Sequence, residues 1–478
     1  MAQKNKFFGT DGVRGVANQG HLTPESALRL GQIAAEELIL CRNNDGHDKK
    51  PIVIIGKDTR RSGDMLESAL AAGLNSAGID VKIGGVIPTP AIALLVKEKK
   101  ADLGIVISAS HNAPPDNGIK FFSNDGYKLS LEQEERIEQK ILSEQPITVR
   151  ATGKEIGRTT PLVGAVESYV SRIIELFIKE TTEKPLSGMR ITLDAANGAS
   201  YETSQRILEG LGADLVCHFN APDGDNINMD CGCTHPKVLS NLAKKNQSFI
   251  GISHDGDADR ILMCDESADP IDGDELMAII GCHMLKRNEL SANTVVGTKM
   301  SNYGLDECIK DHEGIVERAE IGDRNVMERM RSIGSNFGGE PSGHIIYRNH
   351  NTTGDGIIAA LAAIKVVLQT EKPLSELRKV INKFPQKLVN LSVSKKTQIE
   401  QLKANDLIQE TQAKLGEQGR VLIRYSGTEP KIRILVEGKD EEFVNSNPPF
   451  TSRPVLHKIK KGGGLSKSGE SEIEKIKK

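Results

Sequence analysis

The chain has 478 residues, and its 62 Lys and Arg nearly balance its 65 Asp and Glu, for a formal charge of −3. At about 150 residues per domain this length suggests three or so domains, and a charge so near zero gives no footprint for nucleic acid or a membrane surface. The absence of Trp and an aromatic content of 4% argue against a base-stacking platform. The segment from Met1 to Phe8 lacks the apolar core of a signal peptide, and no apolar run is long enough to span a bilayer. Seven scattered cysteines, an odd number, suggest reduced thiols in the cytoplasm.

In chain order, Gly9, Gly12 and Gly15 bracket Thr10 and Arg14, a pattern that fits either anion recognition or a tight turn with a surface Arg. Thr23, Pro24 and Glu25 open a helix as cap, first residue and first-turn acid. Ile52 to Ile55 is a short buried strand that runs into a polar loop, residues 56 to 62. A helix to about Ala77, a strand near Val81 to Ile83, a helix near Ala91 to Lys97 and a strand from Leu103 to Ile107 follow. That β-α-β-α-β order predicts a parallel sheet with right-handed crossovers. The last strand stops at Ser108, Ala109, Ser110, His111 and Asn112, after which Pro114, Pro115, Asn117 and Gly118 predict a loop. Ser110 thus falls just past the carboxyl end of a strand, where open α/β sheets place their chemistry. With His111 and Lys120 close by, it reads as a nucleophile or phosphate carrier, or else as a simple turn residue.

The same grammar returns twice, from about Arg190 to the acidic run Asp255, Asp257, Asp259 and Arg260, and from about Thr294 to the loop holding Glu340, Ser342 and His344. The expected fold is α/β: three similar mixed α/β domains with chemistry-bearing loops at strand ends around one cleft, followed by a small C-terminal α+β domain. The expected divisions are 1–155, 156–265, 266–371 and 372–445, with an atypical tail over 446–478. After a linker at Lys372 and Pro373, Ser375 is expected to cap a short helix that stops at Pro385.

Three carboxylates at alternate positions, Asp255, Asp257 and Asp259, repel unless a cation sits among them, and an all-oxygen set with few protein ligands suits Mg²⁺. An EF-hand does not fit, because Arg260 stands where that loop needs Gly. Arg424, Ser426, Gly427, Thr428 and Arg433 combine exposed backbone amides, hydroxyls and guanidiniums, the chemistry of a phosphate site or of an ordinary hairpin turn. Glu340 and Ser342 can take neighbouring polar groups of a sugar. Together these features suit a reaction that moves a phosphoryl group on a small phosphorylated polyol.

At this point the chain resembles the α-D-phosphohexomutases over roughly residues 6 to 440. The likeness rests on Gly9-Thr-Asp-Gly-Val-Arg-Gly15, Ser108-Ala-Ser-His-Asn112, Asp255-Gly-Asp-Ala-Asp-Arg260, Gly339-Glu-Pro-Ser-Gly-His344 and Arg424-Tyr-Ser-Gly-Thr-Glu-Pro430, in that order. The forms of the second and fifth motifs favour a member acting on glucosamine phosphates over one acting on mannose or glucose phosphates. The resemblance implies an intramolecular phosphotransferase interconverting glucosamine 6-phosphate and glucosamine 1-phosphate in amino-sugar nucleotide biosynthesis. It implies a phosphoserine at Ser110, Mg²⁺ held by Ser110, Asp255, Asp257 and Asp259, and a hexose 1,6-bisphosphate as intermediate and activator. By the same resemblance Lys120 and His344 match proton-transfer positions, and Arg14 and Arg260 lie beside the phosphoserine. Glu340 and Ser342 read the sugar, and Arg424, Ser426, Gly427, Thr428 and Arg433 hold the distal phosphate. The implied partner is a small sugar phosphate, with neither nucleic acid nor membrane, and a homodimer is expected.

There are departures from the family pattern. Ala113 stands where Pro is usual, and Pro341 stands where the glucosamine enzymes carry Gln, which bears on sugar selectivity. Beyond Val444, the residues Asn447, Pro448, Pro449 and Pro454, the triplet Gly462 to Gly464 and a Lys/Ser-rich end replace the expected amphipathic helix and read as disordered, with a loosely docked fourth domain as the consequence. The competing functions are another hexose phosphomutase and a non-catalytic sugar-phosphate binding protein.

Overall fold

A computed structural model describes residues 7–9, 11–45, 50–143, 146–393, 405–416, 419–425 and 431–446. It divides into two compact units, Met1–Ser301 with Cys308–Ile381, and Asn302–Glu307 with Asn382–Lys478.

The first unit holds three sheets. In the first, the strands run in the order Val13–Val16, Asp116–Ser123, Leu103–Ile107, Ile52–Lys57, Asp80–Val86, Thr159–Pro161. Leu103–Ile107 is buried at every position, and each such apolar side chain contributes roughly 1.5–3 kcal/mol when removed from water. This pins the strand and leaves its polar continuation to form the loop that begins at Ser108. The three strands of the β-α-β-α-β unit are parallel, as expected, but strands outside that unit make the sheet mixed. Ile52–Lys57 pairs parallel with both Asp80–Val86 and Leu103–Ile107, but Asp116–Ser123 lies antiparallel to both Leu103–Ile107 and Val13–Val16.

The loop expected from the run of Pro, Asn and Gly is therefore shorter than its composition suggests: it ends at Pro115, and Asn117 and Gly118 are in a strand. The reason is close backbone approach. A Cβ on Gly118 would lie 2.5 Å from the Ser108 carbonyl oxygen and 2.9 Å from that of Val13, so glycine here serves two tight pairings rather than a turn.

The second sheet runs Pro270–Ile271, Ile261–Cys264, Ile250–His254, Arg190–Asp194, Asp214–His218. Two of its strands are consecutive and antiparallel: Ile250–His254 and Ile261–Cys264 make a hairpin whose turn is the acidic run. The third sheet runs Ile315–Ala319, Thr294–Thr298, Phe337–Gly339, Ile345–Tyr347, and its final pair is again an antiparallel hairpin. Its tip is the Glu340 to His344 loop. The helices that cover these sheets begin at identifiable caps. Asp272 and Glu275 form a capping box on Gly273–Lys286, and the Asp355 carboxylate accepts from the Ile358 amide at the head of Gly356–Thr370. Near the end of this unit, the helix expected from Ser375 to Pro385 is only Leu374–Leu377, capped by Pro373, and a 3-10 turn follows at Arg378–Val380. Ser375 lies inside its first turn and spends its hydroxyl on Glu266 instead.

The second unit is a three-stranded antiparallel sheet, Gln386–Ser392, Lys431–Gly438, Gly419–Tyr425, with helices Asn405–Leu415 and Glu441–Ser446. The tail after residue 446 lies outside the described residues.

Candidate active site

Ser110 is the best-buttressed residue of its loop. Its backbone is left-handed, φ 55°, a conformation that costs a non-glycine residue energy and persists only where neighbours hold it. The neighbours are visible. Its amide donates to Ser108 Oγ at 2.9 Å, and Ser108 Oγ donates to Asp58 Oδ2 at 2.6 Å. Its carbonyl accepts from Arg60 Nη2 at 3.1 Å and from Asn228 Nδ2 at 2.8 Å. Arg60 is fully buried and uses all five of its N–H groups. They go to Asp58 Oδ2 and to the carbonyls of Ser110, Asn112, Ala113 and Asp116. From this held backbone Ser110 Oγ donates to Asp255 Oδ2 at 2.6 Å.

Asp255 follows the strand Ile250–His254, and the turn that carries the three acids is kept tight by Ala258 at φ 57°. Gly256 lets this turn touch the serine loop: a Cβ there would sit 2.6 Å from the Ser110 carbonyl oxygen. Asp255, Asp257 and Asp259 are buried and present oxygens within 4.8 Å of one another. Asp257 Oδ2 accepts from Thr89 Oγ1 at 2.6 Å and from Lys120 Nζ at 2.9 Å. Asp257 Oδ1 and Asp259 Oδ1 are buried without a hydrogen-bond partner. Such orphaned carboxylate oxygens, facing a set of hard donors only, fit a divalent oxygen-seeking cation such as Mg²⁺. Burial, reinforced by Asp259 and Asp257, pushes the Asp255 carboxyl up to about 7, the mark of negative charge crowded in one place.

Positive groups ring the acids. Lys120, from the strand Asp116–Ser123, lies 3.1 Å from Asp11, 2.9 Å from Asp257 and 3.5 Å from Asp259. Burial alone would discharge it, but these carboxylates hold its pKa far above the ordinary value and keep it an ammonium. Burial would likewise raise Asp259, yet Lys120, His344 and Arg260 hold it well below the usual range. Arg14 pairs with Asp11 and reaches the Ala109 carbonyl at 3.5 Å, and the Arg260 amide donates to Asp255 Oδ1 at 3.3 Å. His111 Nδ1 lies 3.3 Å from Ser110 Oγ. Burial, with Arg260 and Arg14 nearby, drops its pKa to about 3, so this imidazole is neutral.

The third sheet adds His344, whose Nδ1 is 3.6 Å from Asp259. Against burial, Asp259, Asp323 and Glu340 raise its pKa to about 8, while the Gly354 amide donates to Nε2 at 3.2 Å and opposes a second proton. The balance puts its titration near neutrality, as proton transfer requires. Glu340 Oε1 accepts from the Gly322 amide at 3.0 Å, and Ser342 Oγ lies 3.4 Å from Glu340 Oε2.

Ser110, Lys120, Arg14, Arg260, the three Asp and His344 are thus brought together from three sheets. Arg424 and Arg433 belong to the second unit, directly opposite each other on adjacent antiparallel strands. Ser426, Gly427, Thr428 and, in the first unit, Thr10 lie outside the described residues. Sequence reading missed Asp58, Arg60, Asn228, Thr89, Asp11 and Asp323. The polar loop after Ile52–Lys57 was the one local signal for the first two; the others face the site only through folding.

Four family descriptions match in order: Phosphoglucomutase/phosphomannomutase alpha/beta/alpha domains I, II and III over residues 5–147, 167–268 and 272–384, and the C-terminal domain over 388–446. The chain is 50% identical to a phosphoglucosamine mutase of Carboxydothermus hydrogenoformans, covering 92% of this chain and 96% of the relative. It is 48% identical to one of Pelobacter propionicus, covering 91% and 94%. A solved phosphoglucomutase/phosphomannomutase family protein from Burkholderia thailandensis superposes with a TM-score of 0.78 at 22% identity, over 97% of this chain and 99% of that one. With all four domains matched in sequence order, this chain belongs to the phosphoglucomutase/phosphomannomutase family of phosphohexomutases.

Proposed function

We propose that this chain interconverts glucosamine 6-phosphate and glucosamine 1-phosphate through a phosphoryl group carried on Ser110 and a 1,6-bisphosphate intermediate. The observation that carries the reading is Ser110 itself: a buried hydroxyl in a left-handed backbone, 2.6 Å from one of three clustered carboxylates, the other two of which pair with Lys120. Near-half identity to phosphoglucosamine mutases supports the choice of sugar.

Ser110, Asp255, Asp257 and Asp259 would hold Mg²⁺, which supplies positive charge beside the transferring phosphoryl group when bound. The other parts belong to the chain. The network of Asp58, Arg60 and Asn228 holds the backbone of the serine loop from which Ser110 Oγ reaches Asp255. The 1-hydroxyl oxygen of glucosamine 6-phosphate attacks the phosphorus on Ser110; the new P–O bond forms as the bond to Ser110 Oγ breaks. The hydroxyl proton passes to His344, and Lys120, kept as an ammonium, returns a proton to the liberated serine oxygen. Arg14 and Arg260 stabilise charge on the phosphoryl oxygens. Glu340 and Ser342 read the sugar, while Arg424 and Arg433 with Ser426, Gly427 and Thr428 hold the distal phosphate. The bisphosphate then turns over, so that its 6-phosphate returns to Ser110. A trace of glucose- or glucosamine-1,6-bisphosphate would prime an unphosphorylated enzyme. Such an enzyme works in the cytoplasm, in the supply of UDP-N-acetylglucosamine. No helix among the described residues is long and apolar enough to cross a membrane.

Intact-protein and peptide mass spectrometry, with isomerisation assays on wild type and Ser110→Ala, tests this reading. Phosphate on Ser110 and turnover lost in the variant are expected. Turnover surviving the substitution would overturn it. Faster turnover on mannose or glucose phosphates would instead assign the site to another hexose phosphomutase.

A further inference from the structure

Away from the acidic triad, in the third sheet's helical layer, Cys282 and Cys308 face each other with their sulfurs 3.2 Å apart. Cys282 lies on the helix Gly273–Lys286, and Cys308 on the helix Tyr303–Asp311, one turn before His312, its i+4 neighbour. Both cysteines are buried, His312 is half-buried, and the two sulfurs and a ring nitrogen of His312 all lie within 4.8 Å of one another. The histidine is already oriented. Its Nδ1 is 2.9 Å from the Cys308 carbonyl oxygen, which can only accept, so Nδ1 carries the proton and Nε2 keeps its lone pair. A ring N–H tied to a backbone carbonyl is the usual support of a metal-ligating imidazole.

We propose that Cys282, Cys308 and His312 form a site for a thiophilic divalent ion of the zinc class, separate from the Mg²⁺ chemistry of the acidic triad. Tetrahedral coordination at a Zn–S length of about 2.3 Å sets sulfurs roughly 3.8 Å apart. The observed pair needs to open by only about 0.6 Å to reach that, whereas a disulfide bond of about 2.05 Å would need it to close by nearly twice as much. Two thiolates and one imidazole leave a fourth position on the side where His312 meets solvent, which water would fill. Zn²⁺ binding here releases the thiol protons and ties Cys308 and His312 to the helix that carries Cys282.

The test is titration of the full-length, chelator-treated protein with Co²⁺ under reducing, anaerobic conditions. Oxygen ligands at the acidic triad give no sulfur-to-cobalt charge-transfer band, so the two sites are told apart by spectrum. The expected result is a near-ultraviolet thiolate band that saturates at one equivalent, is displaced by Zn²⁺ and is unchanged in Asp257→Asn. It should vanish in Cys282→Ala and Cys308→Ala, and its affinity should fall at least tenfold in His312→Ala. His312→Ala alters a half-buried side chain, so it answers even where a cysteine variant folds poorly. Sugar-phosphate turnover by that variant, equal to wild type, would show that the fold is intact. No thiolate band in wild type, a band that survives Cys282→Ala but is lost in Cys233→Ala, or recovery of the reduced-purified protein with Cys282 and Cys308 already joined as a disulfide would each overturn the proposal.

Discussion

Arg60→Lys should loosen the Ser110 loop while leaving its charge in place. The arginine engages five acceptors with five N–H groups: Asp58 Oδ2 at 2.9 Å and the carbonyls of Ser110, Asn112, Ala113 and Asp116 at 2.5 to 3.1 Å. An ammonium offers three, so at least two acceptors lose this donor. Asn228 still serves the Ser110 and Asn112 carbonyls and the Asp116 amide still serves that of Ala113, so the loss falls first on the Asp116 carbonyl. At about 1–3 kcal/mol for an acceptor left unmade, the loop should open more easily by roughly 1–3 kcal/mol. Since an ångström of misplacement can cost about a hundredfold in rate, turnover should fall by one to two orders of magnitude, with kcat affected more than KM. Hydrogen exchange over residues 108–118 reads the opening directly, and steady-state isomerisation reads the chemistry. If Arg60→Lys exchanged like wild type and turned over within threefold of it, the claim that Arg60 holds the serine in place would be wrong.

Three further outcomes follow from the same geometry. Gly256→Ala puts a Cβ 2.6 Å from the Ser110 carbonyl, 2.7 Å from Ile227 Cδ1 and 2.9 Å from Asn228 Nδ2. It should cost about 1–3 kcal/mol of stability and at least tenfold in turnover, measured by thermal unfolding and the same assay. Asp257→Asn removes charge from the triad and from Lys120, and the Mg²⁺ concentration for half-maximal turnover should rise about 10- to 100-fold, as seen when ligand shells are altered; full activity at unchanged Mg²⁺ would count against the triad as the metal site. Burial pushes Asp355 up to about 6, against the hydrogen bonds it accepts from Ile358, Asn351 and Tyr169. The folded state therefore binds this proton more tightly than the unfolded state, and the contribution of Asp355 to stability falls as pH rises from about 4 to 6. The stability of wild type relative to Asp355→Asn should drop across that window by roughly 2–3 kcal/mol, and parallel pH profiles of the two proteins would refute the assignment.

By itself the sequence determined the local pieces. Apolar runs that end in Gly, Asn, Ser or Asp mark where strands stop, and those stops already place Ser110, Asp255 and His344 at strand ends. Caps such as Thr23 with Pro24, and apolar faces at helical spacing, mark the helices between them. Both signals are short-range, which is why they survive without a fold. What needed partners distant in the chain was decided only by tertiary structure. Asn117 and Gly118 look like loop residues, yet two flanking strands claim them, and this is what turns Lys120 toward Asp257 from 137 residues away. Arg60 reads as one more charge in a polar loop until burial forces each of its N–H groups to find an acceptor. Cys282 and Cys308 are unremarkable thiols 26 positions apart until two helices bring their sulfurs into contact. Local sequence sets conformation through sterics and hydrogen bonds near in the chain, whereas charge pairing, metal coordination and desolvation depend on distances in space that only the packed chain defines.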